Sequence, residues 1–182
     1  MIKVKFENLE EEPELPEQEY TSADTSINQI PALFNIVNFE KGTVNLDVGG
    51  GKYDKATDYL ETLGVTNLVF DPYNRTSEHN NSVIKTVREN GGADTVTCAN
   101  VLNVIAEYNA RQAVIKNCYR YLKNGSPAYF MVYEGKDAKN SAAGPTSKGY
   151  QLRAKTDSYV DEIKEVFGNN VNKKGKLIVA IK

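Results

Sequence analysis

The sequence predicts an α/β fold in which a doubly wound, mostly parallel sheet carries helices on both faces. Short apolar runs with the length of buried strands alternate with longer segments in which apolar residues recur at helical spacing. The first clear strand pattern ends in an acid and is followed by three consecutive glycines, within residues 44–51. In an open parallel sheet, such a strand, glycine turn and helix start form the corner at which a nucleoside-containing ligand binds.

Each element follows from apolar spacing and from the turn residues that bound it. Helices are predicted over residues 31–38, 54–63, 77–89, 109–122 and 157–167, and three of them end at glycine or Asn-Gly. Strands are predicted over residues 43–48, 66–70, 94–99 and 128–133, with a closing, antiparallel strand over 176–181. Residues 134–149 are polar and are predicted to form a long loop, of a length that is usually functional or mobile.

Length and composition are those of a single globular domain. The chain has 182 residues, of which 40% are hydrophobic and 25% are charged. No apolar run approaches the roughly 20 residues that span a bilayer, and the first residues lack the apolar core of a signal peptide. We therefore expect a cytoplasmic protein without a membrane segment. The single histidine disfavours a zinc site, and Cys98 and Cys118 are predicted to be buried free thiols.

The first 20 residues differ in composition from the rest of the chain. Residues 2–6 alternate apolar and basic side chains, which predicts an edge strand that could pair within the chain or with a second copy in a homodimer. Residues 7–19 carry seven glutamates and no basic residue, which predicts an extended or disordered acidic arm. We divide the chain into this segment, residues 1–20, and a single domain, residues 21–182. Without the seven glutamates the net charge of −2 becomes about +5, which permits a nucleic-acid partner without requiring one.

The glycine turn at residues 47–51 has the sequence Asp-Val-Gly-Gly-Gly. Its glycines let the backbone approach a ligand closely and present N–H groups at the start of a helix. A dinucleotide site would favour Gly-x-Gly-x-x-Gly without a leading acid, and position 54 is Asp. A phosphate-binding loop would require Ser or Thr after Lys52, where the chain has Tyr53. The acid before the turn instead favours a ligand with a positively charged amine.

A second acid, Asp71, ends the next predicted strand, 24 residues after Asp47. An acid in that position can accept hydrogen bonds from both hydroxyl groups of a ribose. Two acids at neighbouring strand ends, with a glycine turn between them, form a more specific pattern than either acid alone.

Four motifs in order resemble those of class I S-adenosylmethionine-dependent methyltransferases, over roughly residues 25–182. The segments that carry the resemblance are Leu46–Gly51, with the acid and glycines; Val69–Asp71, with the ribose-binding acid; Ala93–Ile105, at the family's fourth strand; and Tyr119–Gly125, before its fifth strand. The resemblance implies a Rossmann-like methyltransferase core and S-adenosylmethionine as the cofactor.

The resemblance also implies roles for individual residues. Gly49 and Gly51 would flank the methionine part of the cofactor, and Asp47 would face its amino group. Asp71 would hold the ribose, and Asn100, just past the family's fourth strand, would lie near the methyl group that reacts. The full set of implied cofactor-binding residues is Asp47, Gly49, Gly50, Gly51, Asp71, Pro72, Asn100 and Val101.

Two features depart from the family pattern. Tyr53 stands at the position of the family's third glycine. Only 23 residues separate Asp71 from Asp94, which is enough for one helix but hardly for a further strand and a second crossover. The family's third strand, with its usual acid near the adenine amine, is therefore predicted to be missing or vestigial, and adenine recognition is left unassigned.

The tripeptide at residues 71–73, Asp-Pro-Tyr, is similar to the Asp-Pro-Pro-Tyr motif of enzymes that methylate amino groups of nucleic acids. That motif belongs after the fourth strand, whereas this tripeptide follows the second. A motif indicates a function only in its structural context, so this activity is not assigned.

Methyl transfer from a sulfonium is an in-line displacement that positioning and desolvation can accelerate. A general base is needed only where the acceptor is protonated at the working pH. The catalytic candidates near the strand ends are Asn100, Tyr133 and Glu134, with Asn103 as a further polar residue close by.

Three hypotheses of function follow. The first is a small methyltransferase without a separate target-recognition domain, acting on a small-molecule or macromolecular acceptor. The second is a methyltransferase-like fold that binds the cofactor or its product without turnover, or serves as an assembly subunit, and the lack of an evident base favours it. The third, an NAD(P)-dependent oxidoreductase, is disfavoured by the glycine spacing.

Overall fold

The computed structural model describes residues 8–136 and 142–182. The helices in these residues are α1 (Leu33–Ile36), α2 (Lys55–Thr62), α3 (Ser77–Glu89), α4 (Tyr108–Arg120) and α5 (Thr156–Phe167), with a 3₁₀ turn at Leu102–Val104. The strands are β1 (Val44–Val48), β2 (Thr66–Phe70), β3 (Thr95–Ala99), β4 (Pro127–Met131), β5 (Gly144–Thr146), β6 (Gly149–Gln151), β7 (Val171–Lys174) and β8 (Leu177–Ile181). Strands and helices alternate as far as β4, which is the pattern that predicted the fold class.

Six strands form one sheet in the order β2-β1-β3-β4-β8-β7. The first four are parallel, whereas β8 runs antiparallel to β4 and β7 antiparallel to β8. The predicted mostly parallel sheet with an antiparallel closing strand is confirmed. Within the described residues β2 lies at the edge of the sheet, because α3 leads from it directly to β3. The predicted absence of a third strand before Asp94 is therefore confirmed as well.

Side-chain alternation along the strands gives the sheet two buried faces. Leu46 and Phe130 pack in the larger core, which α3, α4 and α5 cover. Tyr129 and Met131 pack against the smaller core, which lies beneath α1 and α2. With helices on both faces, the carboxyl ends of β1, β2 and β3 form the edge of the sheet at which a ligand site can open.

Two hairpins differ from the predictions. The loop predicted at residues 134–149 is wrong in its second half, where β5 and β6 form a two-stranded antiparallel hairpin. Residues 137–141 of that loop, and the strand predicted at residues 2–6, lie outside the described residues. β7 was not predicted either. These three strands are short and rich in glycine, proline or lysine, so they lack the apolar alternation that reveals a strand.

The acidic arm is ordered over residues 8–19 and runs across α3 and α4. Arg88 of α3 donates hydrogen bonds to three consecutive backbone carbonyls, those of residues 9–11. Arg120 of α4, whose side chain is only 2% exposed, pairs with the Glu14 carboxylate at 3.1 Å. The arm is extended, as predicted, but the alternative of a disordered arm is wrong for these residues. Arg88 and Arg120 of the folded domain therefore hold the arm through its backbone carbonyls and a carboxylate.

Arg120→Ala is expected to lower the free energy of unfolding by about 2–4 kcal/mol, because it removes a buried side chain and the donor to the Glu12 carbonyl. The paired carboxylates of Glu11 and Glu14 are 45% and 39% exposed and would regain water, which limits the loss. Denaturant unfolding measures the change. Lys85→Ala, on the exposed face of α3, is the matched control and should change stability by less than about 0.5 kcal/mol. Equal effects of the two substitutions would contradict a structural role for Arg120.

Cys98 and Cys118 are buried free thiols, as predicted. Hydrogen bonding to Cys118, together with burial, raises the pKa of Cys98, so the neutral thiol is favoured. None of the described helices is both long and apolar enough to cross a bilayer.

Candidate functional site

The glycine turn follows β1 and joins it to the end of β2. The Gly49 N–H donates to the last carbonyl of β2 at 2.8 Å, and Gly49 and Gly51 have φ angles of 76° and 77°. A Cβ on Gly49 would lie 2.5 Å from a methyl carbon of Val101. A Cβ on Gly50 would lie 2.4 Å from a carboxylate oxygen of Asp47. The turn therefore needs glycine both for its backbone conformation and for the close approach of these side chains.

Asp71 follows β2 and is 2% exposed. Its carboxylate accepts four hydrogen bonds: from the Gly51 N–H at 2.9 Å, from the N–H groups of Tyr73 and Asn74 at 3.0 Å, and from the Asn74 side-chain amide at 3.1 Å. Four bonds fill the usual acceptor capacity of a carboxylate. Asp71 thus ties the glycine turn to the loop after β2. Binding of a ribose by Asp71 stays a prediction. To bind one, the carboxylate must exchange one of these four donors for a ribose hydroxyl.

Arg75 completes the connection between the loop and the turn. Its Nε donates to the Gly51 carbonyl at 2.8 Å, and its guanidinium pairs with Asp54 at 2.7 Å. Gly51 is therefore held through its N–H by Asp71 and through its carbonyl by Arg75. Sequence reasoning missed Arg75, because a basic residue four positions after an acid is a common surface pattern.

Asp47 lies on β1 beneath the turn and is oriented by a row of polar side chains. Thr97 of β3 donates to the Asp47 carboxylate at 2.9 Å. The Asn45 amide donates to the Thr97 hydroxyl at 2.9 Å and to Asn67 of β2 at 2.8 Å. The Thr95 hydroxyl in turn donates to the side-chain oxygen of Asn45 at 2.7 Å. Because the Thr97 oxygen already accepts from Asn45, its hydrogen is directed at Asp47. No single-strand pattern could reveal this row, which crosses three strands.

Burial raises the pKa of Asp47 to about 7, and the neighbouring Asp71 charge adds to the effect. The hydrogen bond from Thr97 acts in the opposite direction. The carboxyl group therefore titrates near neutral pH, and a cation beside it would favour the ionised form. Asp47 is therefore a buried acid, and a positively charged amine in the site can compensate its negative charge.

A cleft opens over the glycine turn. It is lined by seven of the eight residues predicted to bind the cofactor: Asp47, Gly49, Gly50, Gly51, Asp71, Asn100 and Val101. Residues of the 22–31 segment line its other side, where Ser26 donates to the Asn74 side chain at 3.1 Å. The fold thus brings these predicted residues together, and their roles in binding stay predictions.

A second cavity adjoins this cleft, since both are lined by Gly49, Asp71 and Val101. Its apolar lining comes from the ends of β1 and β2, the loop after β3, and α4: Val48, Phe70, Pro72, Val101, Val104, Ile105, Ala110 and Val114. Pro72, the eighth predicted residue, borders this cavity. Residues of the acidic arm complete the lining.

The structure separates the three catalytic candidates. Asn100 directly follows β3, lines the cleft and has a φ of 59°, a conformation that asparagine tolerates better than most residues. Tyr133 is 48% exposed, and neither it nor Glu134 is among the described residues that line the cleft. Glu134 accepts hydrogen bonds at 2.9 Å from the N–H and the hydroxyl of Thr156, at the start of α5, and these bonds lower its pKa. This geometry favours a capping role for Glu134 over that of a base near neutral pH.

Asn103 is buried in the 3₁₀ turn and connects it to the β5–β6 hairpin. Its backbone carbonyl accepts from the Leu152 N–H at 2.8 Å, and its side-chain amide donates to the side-chain oxygen of Gln151 at 3.4 Å. Its own side-chain oxygen is buried without a hydrogen-bond partner among the described residues. Asn103 therefore links the edge of the site to the hairpin.

Solved structures resemble this fold, although no protein-family model matches the sequence and no curated protein matches it either. A putative methyltransferase from Haloferax volcanii, solved in complex with the Trm112 methyltransferase activator, matches with a TM-score of 0.53 and 15% identity over 78% of this chain and 68% of that chain. The glycopeptide N-methyltransferase MtfA matches with a TM-score of 0.52 and 10% identity over 76% and 88%. PigF with SAH matches with a TM-score of 0.50 and 15% identity over 82% and 53%.

The chain therefore has the fold of class I S-adenosylmethionine-dependent methyltransferases. Its mostly parallel sheet and its antiparallel closing strand agree with the architecture that the sequence motifs implied. At identities of 10% to 15% the similarity concerns the fold alone. The chain spans about half the length of the PigF structure.

Proposed function

We propose that the cleft binds S-adenosylmethionine and that the protein transfers its methyl group to an acceptor that is not yet identified. One observation carries the proposal: Asp47, the glycine turn and Asp71 line a single cleft at the carboxyl ends of neighbouring parallel strands. On a sheet with the class I methyltransferase fold, this is the place for a nucleoside ligand that carries an amine.

The residues present fit the methionine end of this cofactor. Asp47 is buried and has no ion-pair partner among the described residues, and an ammonium group would supply one. Because residue 50 is glycine, the space next to the Asp47 carboxylate stays open. A Cβ on Gly50 would fill it. When bound, the cofactor supplies a methyl group on a positively charged sulfur, which is open to attack by a nucleophile.

At the ribose end we propose an exchange of hydrogen bonds at Asp71. The Asn74 amide donates to Asp71 and also lines the cleft, so it is the donor that a ribose hydroxyl can replace. The backbone N–H groups of Gly51, Tyr73 and Asn74 would continue to hold the carboxylate in place. Because one hydrogen bond replaces another, the exchange costs little.

At the reacting end the chain contributes positioning rather than proton transfer. Asn100 lines the cleft, and its carboxamide cannot take up a proton near neutral pH. Residues of the 22–31 segment cover the turn from the other side and would limit the access of water. The proposed acceptor is therefore a nucleophile that has a free lone pair at the working pH. It could be a small molecule or part of a macromolecule.

A protein partner is also proposed as a way to present the acceptor. The Haloferax volcanii structure that shares this fold was solved with a methyltransferase activator. Nucleic acid remains an acceptor to be tested, since the charge of the domain permits it.

A second candidate function is cofactor binding without turnover, in an assembly subunit. The observation in its favour is that Glu134 caps α5, so its carboxylate is not available as a general base.

Transfer of a labelled methyl group separates the two functions. The full chain is incubated with labelled S-adenosylmethionine and separate pools of metabolites, nucleic acid and protein. Methyl transfer predicts label in one pool, lowered at least about tenfold in Asn100→Gly, a variant that keeps the backbone conformation of this position. Binding of the cofactor with no label in any pool would favour the assembly subunit. Label transfer that is equal in Asn100→Gly would contradict the role of Asn100.

A further inference from the structure

The charged residues that line the cleft are all acids. Among the described residues around it, Asp47 and Asp71 carry the charge, and the others are apolar or neutral. A cleft whose charges share one sign favours ligands of the opposite sign. The methionine part of S-adenosylmethionine carries an ammonium group, which Asp47 can hold. It also carries a carboxylate, for which the proposed contacts include no partner.

The start of α2 follows the glycine turn, and the N-terminus of a helix ordinarily favours an anion. At this helix the chain supplies its own acids, because Asp54 is the N-cap residue and Asp58 lies in the first turn. Their carboxylates offset the positive potential of the helix N–H groups. A ligand carboxylate would therefore meet charges of its own sign at this end of the cleft.

Two basic side chains lie close to the glycine turn, and neither lines the cleft. Arg75 pairs with Asp54 at 2.7 Å, so its charge is already compensated. Lys52 is exposed, and its ammonium lies 5.4 Å from the centre of the Tyr53 ring. Exposed charges interact weakly because water and salt screen them. Within the residues that the structure describes, the cleft therefore offers a ligand carboxylate neutral donors but no cation.

We propose that the cleft recognises the methionine end of its ligand through the amine alone and disfavours the carboxylate. The preferred ligands are adenosyl thioethers and adenosyl sulfonium compounds that carry a primary amine and no carboxylate. This inference rests on the proposed function, because it assumes that the amine lies at Asp47 and the ribose at Asp71. It extends the ligands of this site to the decarboxylated form of S-adenosylmethionine.

Calorimetric titration of the full chain at pH 8 tests this inference. The probes are S-adenosylhomocysteine and its decarboxylated counterpart, in which a hydrogen replaces the carboxylate. The decarboxylated compound is expected to bind about three- to tenfold more tightly, because it lacks the group that the two acids repel. In Asp47→Asn both compounds should bind more weakly, and the ratio of their dissociation constants should move toward one, since one of the two acids is then neutral.

Lys52→Ala separates this inference from recognition of the carboxylate by a lysine. The variant should leave both dissociation constants unchanged, because Lys52 is exposed and lies outside the cleft lining. Two results would overturn the inference while the proposed function stands. One is weaker binding of S-adenosylhomocysteine alone in Lys52→Ala, and the other is wild-type binding of the decarboxylated compound that is no tighter than that of S-adenosylhomocysteine. If the wild type binds neither compound, the proposed function fails, and this inference fails with it.

Discussion

Asp71→Ala is expected to abolish binding of S-adenosylhomocysteine and to lower the free energy of unfolding by about 3–5 kcal/mol. The substitution removes the acceptor of four hydrogen bonds and leaves the N–H groups of Gly51, Tyr73 and Asn74 without a partner. It therefore disorders the glycine turn in addition to removing the proposed ribose contact. Thermal unfolding measures the stability, and calorimetric titration measures the binding.

Asp58→Ala is the matched control for this substitution. Asp58 is an exposed acid on α2, outside the lining of the cleft, so its removal should change stability by less than about 0.5 kcal/mol and leave binding unchanged. If Asp71→Ala retains wild-type affinity for S-adenosylhomocysteine, the proposal that Asp71 binds the ribose is wrong.

Asp47→Asn is expected to change the pH dependence of both stability and binding. The pKa of Asp47 is raised from 3.8 to about 7, so the folded protein binds this proton more tightly than the unfolded chain does. The stability that Asp47 contributes is present at low pH and is lost as the pH rises from about 4 to about 7, by at most about 4 kcal/mol. The asparagine variant lacks this loss and should be the more stable protein at pH 8. Thr97 can still donate to the asparagine oxygen.

Ligand binding should follow the opposite trend. The ionised carboxylate holds a ligand ammonium group, so the affinity of the wild type for S-adenosylhomocysteine is expected to rise between pH 6 and pH 8. At pH 8 the variant should bind about thirtyfold more weakly, which corresponds to the loss of a hydrogen bond between charged groups. At pH 6 the difference should be smaller. Equal pH profiles of the two proteins, for unfolding and for binding, would show that Asp47 neither titrates in this range nor faces the amine.

The centre of the fold could be predicted from the sequence because its signals are local. The strand before Asp47, the three glycines and the strand before Asp71 each lie within a few residues, and the structure places them at neighbouring strand ends. The missing third strand also follows from a local count, since the 23 residues before Asp94 hold one helix.

The remaining features depend on contacts between distant segments. Thr97 orients Asp47 from a position 50 residues away in the sequence, and Arg120 binds arm residues more than 100 positions before it. Neither side chain differs in sequence pattern from an ordinary polar residue in a strand or a helix. The engagement of Glu134 at the start of α5 was hidden for a related reason, because the Thr156 N–H that it caps lies 22 residues further along the chain.

Titration of the wild-type chain with S-adenosylhomocysteine, with NAD⁺ as the comparison ligand, tests the central claim most directly. The cleft over Asp47 and the glycine turn is expected to bind one molecule of S-adenosylhomocysteine and to raise the melting temperature by several degrees at saturation, while NAD⁺ has no effect. Absence of binding by S-adenosylhomocysteine, or an equal response to NAD⁺, would contradict the assignment of this cleft to S-adenosylmethionine.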